Sequence, residues 1–135
     1  WTRPLVVEGH LYAGSLDGNV YAVNLRTGEP LWGAPFEASG QIRSAPILHN
    51  EVLVVADRNG RIYGIDQDSG GLIWEALEFS PGRIPRDTLP NRVWGHPILI
   101  GDHVVYSNDK GDLFRISVDD GRFQSIPVRV ISGSE

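Results

Sequence analysis

One feature limits what this chain can fold into more than any other: the sequence repeats itself. RTGEPLW (26–32) lines up with DSGGLIW (68–74), so that Gly28 meets Gly70 and Trp32 meets Trp74 at a constant shift of 42. The same shift carries Pro4 to Pro46, Gly18 to Gly60 and Tyr21 to Tyr63. A third copy follows at a shift of 51, taking Pro46 to Pro97, Gly60 to Gly111, Tyr63 to Phe114 and Gly70 to Gly121. A fixed period of this length marks an array of identical supersecondary units. The repeats are expected at about 2–43, 44–94 and 95–131, all within a single domain spanning 1–135.

Each unit reads as four strands joined by hairpins. In the second copy these are Ala45–Leu48, Val52–Ala56, Arg61–Asp66 and Leu72–Leu77. The turns between the second and third strands end in Asp17-Gly18, Asn59-Gly60 and Lys110-Gly111, and the following turns end at Gly28, Gly70 and Gly121. Glycine supplies the positive φ that tight hairpin turns need. The run Val52-Leu53-Val54-Val55 does not alternate, so both faces of that strand should be covered. Four-stranded sheets stacked face to face around an axis meet this demand, and each first strand becomes an inner edge. There Pro4, Pro46 and Pro97 cost no ladder hydrogen bond. The fold class is therefore all-β: a β-propeller fragment, about three four-stranded antiparallel blades of a larger ring.

These residues resemble the PQQ-type (quinoprotein-like) propeller repeat, with its aromatic third strand and its Gly-x-x-x-Trp. VYAVNLRTGEPLW and IYGIDQDSGGLIW carry the full motif; the third copy has Ser125 where the tryptophan is expected and Phe123 two places earlier. The resemblance implies that Trp32 and Trp74 dock between neighbouring blades. It is similar to both non-catalytic BamB-type assembly factors of the outer membrane and quinoprotein dehydrogenases, which use pyrroloquinoline quinone and calcium. It also implies a bacterial or archaeal protein outside the cytoplasm, in the periplasm or at the cell surface.

The remaining residues favour a scaffold that binds protein partners, with enzymatic activity left open toward the negative. A net charge of −5 argues against nucleic acid, and no apolar run is long enough to span a bilayer. With no cysteine there is no thiol nucleophile or vicinal cysteine pair. Asp57, Asn59, Asn108 and Asp109 carry oxygens suited to calcium, but at turn tips, where Asp and Asn serve the backbone. His10 and His103 recur at one repeat position, and His49 and His96 show no metal-ligand spacing. The serines lack a nucleophile elbow, and the pairs Asp119-Asp120 and Asp66/Asp68 read as solvated turns. No catalytic, cofactor or metal residue is assigned; quinone and calcium would enter only through further blades. A fragment of such a dehydrogenase, or of a ligand-sensing ectodomain, is the alternative.

Two expectations concern surfaces. The third unit is delayed by nine residues within SPGRIPRDTLPNRVWG (80–95), a loop that gathers Arg83, Arg86 and Arg92 as a candidate interaction site for an acidic protein. Three sheets do not close a ring, so each end should expose an apolar face: Val6, Leu11 and Val23 at one, Ile98, Val104 and Ile116 at the other. Further blades, or additional copies of the chain, are needed to cover them. The chain opens on Trp1 and contains no Met, which reads as part of a longer product.

Overall fold

The computed structural model describes residues 1–42, 44–77, 93–108 and 113–126. Among the described residues twelve strands form three antiparallel sheets, each taken up in chain order. Blade 1 holds β1 (Leu5–Val7), β2 (His10–Gly14), β3 (Asn19–Asn24) and β4 (Phe36–Glu37). Blade 2 holds β5 (Ile47–His49), β6 (Val52–Ala56), β7 (Arg61–Asp66) and β8 (Leu72–Leu77). Blade 3 holds β9 (Val93–Ile100), β10 (His103–Asn108), β11 (Leu113–Ser117) and β12 (Phe123–Ile126).

The turn chemistry explains these boundaries. Gly18 and Gly60 have φ of 90° and 87°, and Gly28, Gly70 and Gly121 lie at 74–77°, a region in which a side chain is strained. Asn24 Oδ1 accepts from the backbone of Arg26 and Thr27, and Asp66 Oδ1 does the same for Asp68 and Ser69. The side chains of Asn24 and Asp66 thus shape the turns that the glycines complete.

Blade 2 is covered on both sides, and its strands sort cleanly by parity. Val52, Val54, Ala56, Ile62, Trp74 and Ala76 pack with Val104, Tyr106, Phe114, Ile116 and Val118 of blade 3. Leu53, Val55, Tyr63 and Ile65 pack with Tyr12, Val20, Ala22, Trp32 and Ile42 of blade 1. Every residue of β6 is buried, which is why its sequence shows no alternation.

The outer strands depart from uniformity. In blade 1, Pro30 bridges Val23, but the strand resumes only at Phe36, opposite Val20. Gly33-Ala34-Pro35 stand where blade 2 has Glu75 alone, and Pro35 cannot donate to the ladder. In blade 2 the register shifts between Gly64 and Ile65, so that Gly64 faces Trp74 while Ile65 faces Leu72. Blade 3 has no such shift, and Arg115 faces Gln124. The structure therefore puts Gln124, not Ser125, in the tryptophan's place: the constant sequence shift ignores the extra residue, Ile73, that bulges from β8.

Two further expectations need correction. Val104 and Ile116 are fully buried against blade 2 instead of exposed at the open end, whereas Ile98 is exposed. Residues 93–95, expected in the long loop, belong to β9, which carries Pro97 within it beside a register shift. Arg83, Arg86, Arg92 and Gly111 lie outside the described residues.

Candidate interaction faces

The blades are fastened to one another by recurring contacts. The Trp32 indole donates from Nε1 to the Gln67 carbonyl of blade 2 at 2.9 Å, and Trp74 donates to the Val118 carbonyl of blade 3 at 2.7 Å. Each ring lies on the glycine three residues beyond its acceptor. A Cβ on Gly70 would stand 2.5 Å from Trp32, and one on Gly121 would stand 2.6 Å from Trp74. Trp74 also covers Gly64, where a Cβ would come within 2.3 Å. Glycine is required there because the indole occupies the space. Both tryptophans thus reach forward onto a blade that is present, and neither position is privileged by its neighbours.

A second fastening joins the connector after β4 to blade 2. Ser39 Oγ and the Tyr63 hydroxyl donate to Asp57 Oδ2 at 2.6 and 2.7 Å. Asp57 Oδ1 accepts from the backbone of Asn59 and Arg61 at 2.9 and 3.1 Å. Burial raises the Tyr63 phenol to about 12, with the Asp57 carboxylate adding to the shift and Ser39 opposing it. Four donors occupy the buried Asp57 carboxylate, so it does not fit a calcium ligand, which would need those lone pairs. In blade 1 the equivalent Tyr21 donates to Asp17 instead, at 2.8 Å, and the Asn19 backbone and Tyr21 hydroxyl hold the Asp17 carboxyl below its ordinary value.

The histidines separate. His10 stands edge-on to Tyr12. His49 Nε2 meets Asp102 Oδ1 at 2.9 Å, linking the first hairpin turns of blades 2 and 3. Sequence reasoning missed this pair, because its members are 53 residues apart. His103 lies on the face of blade 3 turned away from blade 2. No group of three or more His, Asp or Glu side chains is arranged to hold a metal among the described residues.

The two open faces differ in chemistry. On blade 1, Trp1, Pro4, Leu11, Ala13, Tyr21 and Val23 line an apolar cleft of about 350 Å³. Leu11, Ala13, Tyr21 and Val23 are the repeat equivalents of Leu53, Val55, Tyr63 and Ile65, the face of blade 2 that receives Trp32. At the matching turn nothing lies within 4 Å of a Cβ built on Gly28. Blade 1 therefore repeats the apolar face that receives Trp32 on blade 2. On blade 3, His103, Arg115, Ser117, Asp120, Arg122 and Gln124 line a polar cleft of about 300 Å³.

Three blades stacked face to face, each locking the next with an indole over a glycine turn, define a segment of a β-propeller. The comparisons with known proteins agree. A family described as outer membrane protein assembly factor BamB matches residues 1–124, and the chain belongs to that family. The BamB of Salmonella typhimurium is 29% identical over 122 residues, 90% of this chain and 28% of the relative. The chain thus spans little more than a quarter of that relative's length. Among solved structures, BamB from Moraxella catarrhalis superposes with a TM-score of 0.70 at 18% identity, over 98% of this chain and 39% of that one. The quinohemoprotein alcohol dehydrogenase from Comamonas testosteroni reaches 0.75 at 18%, over 92% and 20%. At that identity both likenesses show the fold alone.

Proposed function

We propose that the chain forms part of a non-catalytic propeller scaffold that holds protein partners outside the cytoplasm during outer membrane protein assembly. The match of residues 1–124 to the BamB family carries this reading. It is supported by how the polar side chains are used: Asp57, Asp66 and Asn24 are committed to turns and connectors. No helix among the described residues is long and apolar enough to cross a membrane. The scaffold needs no cofactor. The arginines of the 80–95 loop, Arg83, Arg86 and Arg92, supply one contact surface for an acidic partner.

Deleting the gene in its own host tests the reading. Outer membrane protein levels should fall and return with the intact gene. Unchanged levels, together with loss of an alcohol- or sugar-oxidising activity, would overturn it in favour of a dehydrogenase. Replacing Arg83, Arg86 and Arg92 with Ala should weaken partner binding most at low salt.

A further inference from the structure

The turn between β6 and β7 contains the one Asn-Gly pair of the sequence, Asn59-Gly60. An asparagine followed by glycine is the pair most prone to lose ammonia, because glycine carries no side chain to keep its amide nitrogen away from the asparagine Cγ. The structure leaves that carbon open. Asn59 is exposed, and its side chain rests on Gly40 of the connector after β4, where a Cβ would come within 2.8 Å of Nδ2 and 3.1 Å of Cγ. Among the described residues no hydrogen bond holds the carboxamide. The Gly60 nitrogen, which must attack it, is held only by a long bond to the Asp57 carbonyl, at 3.2 Å.

The reaction needs nothing but water. Hydroxide takes the Gly60 amide proton, and the nitrogen attacks Asn59 Cγ. A new C–N bond forms as the bond from Cγ to Nδ2 breaks, and ammonia leaves with a proton from solvent. Water then opens the cyclic imide. Attack at Cγ leaves aspartate in an intact main chain, and attack at the backbone carbonyl routes the chain through the side chain as isoaspartate.

Blade 1 shows what an acid at this position does. At the shift of 42, Asn59 corresponds to Asp17 and Asp57 to Ser15, while Tyr63 and Arg61 correspond to Tyr21 and Asn19. The two turns share their backbone form. Gly18 and Gly60 have φ of 90° and 87°, and Ser15 and Asp57 each donate to the carbonyl four residues on, at 2.9 Å. In blade 1, Asp17 accepts from the Asn19 backbone at 2.9 Å and from the Tyr21 hydroxyl at 2.8 Å. In blade 2 the same two donors, the Arg61 backbone and the Tyr63 hydroxyl, go to Asp57 instead. Conversion of Asn59 puts a second carboxylate within reach of both. Asp57 is 1% exposed, and a buried carboxylate that loses donors beside a like charge is costly. Ser39 hangs on the same pair: its hydroxyl donates to Asp57 and its backbone N–H to Tyr63.

We propose that Asn59-Gly60 is a self-modification site, and that its conversion to aspartate draws Tyr63 and the Arg61 backbone away from Asp57 and releases the Ser39 connector between blades 1 and 2. Both blades of this joint are present in the chain, and the site involves neither open face.

The test begins with the full chain held in warm, mildly alkaline buffer, then digested for mass spectrometry. The peptide carrying residues 59 and 60 should gain the mass of an NH-to-O exchange and separate into aspartate and isoaspartate forms. Asn59→Gln keeps an amide but must close a larger, slower-forming ring, so its peptide should keep its mass. The consequence is read separately, by amide hydrogen exchange in Asn59→Asp. There the Ser39 amide should exchange about fivefold to tenfold faster than in the unmodified chain, the equivalent of one lost hydrogen bond, while Val104 in blade 3 stays unchanged. An unmodified Asn59 peptide, an equal mass gain in Asn59→Gln, or unaltered Ser39 exchange in Asn59→Asp would each overturn the proposal.

Discussion

The far faces of blades 2 and 3 are the same piece of architecture with different side chains at equivalent positions. On blade 2, Gly64 lies beneath Trp74, and the indole reaches onto the next blade to bond the Val118 carbonyl. On blade 3, Arg115 donates to the Gln124 amide oxygen instead. Strand order and pairing direction do not change between them. Two side chains, together with one bulged residue in β8, separate an indole-on-glycine contact from a guanidinium-on-amide contact.

The most severe way to break this comparison is to give blade 2 the residue of blade 3. Gly64→Arg puts a side chain where Trp74 sits, and should cost more than the roughly 1–3 kcal/mol of ordinary overpacking, because the charge is also buried. Loss of the sharp unfolding transition, or a large fall in denaturant midpoint, is the expected result; near-wild-type stability would mean that the indole readily moves aside. Next come Trp32→Ala and Trp74→Ala, each expected to cost about 3–5 kcal/mol in denaturant melts. Similar losses are expected because each indole bridges two blades. A small loss for one alone would show that its interface does not depend on the tryptophan.

The tyrosines sharpen the contrast at smaller scale. Tyr63→Phe leaves the buried Asp57 short of a donor and should cost about 1–3 kcal/mol. It should also change the response to alkali. The folded state holds the Tyr63 proton up to about 12, whereas an unfolded tyrosine releases it near its ordinary value of about 10. Above that value the unfolded state carries fewer protons, so the contribution of Tyr63 is intact at lower pH and declines as pH rises from about 10 toward 12. Melts of Tyr63→Phe should show a shallower decline over that window; an unchanged slope would remove Tyr63 as its source. In blade 3 the equivalent position is Phe114, stacked on Tyr106, whose hydroxyl is buried with no partner among the described residues and whose ionisation burial opposes. Tyr106→Phe should therefore be neutral or stabilising by about 1 kcal/mol, and a clear loss would point to an acceptor for that hydroxyl.

The smallest expected effect is on the exposed face itself. Arg115→Ala should alter stability by no more than about 0.5 kcal/mol, since its loss leaves no buried group unpaired. Set against Gly64→Arg, that outcome would separate a position filled by a neighbouring indole from one paired only with an exposed amide.

Much of this was legible in the sequence. Repeat length fixed the number of blades described, the turn glycines marked the hairpins, and the unbroken apolar run of β6 announced a strand covered on both faces. The change from Gly64 to Arg115 was also visible, since the shift of 51 pairs them directly, yet its meaning depends on what lies across the sheet. The His49–Asp102 pair gave no local signal.

What the tertiary structure alone decided is direction. Val104-Val105-Tyr106 is apolar throughout, so no alternation reveals which side chains point inward, and a slip of one residue exchanges the two faces. Val104 proved to be buried and Ile116 with it. For the same reason a single bulged residue in β8 moves the tryptophan's counterpart from Ser125 to Gln124. Sequence spacing counts residues along the chain; pairing across the ladder determines which face each one occupies, and only the assembled sheets fix that pairing.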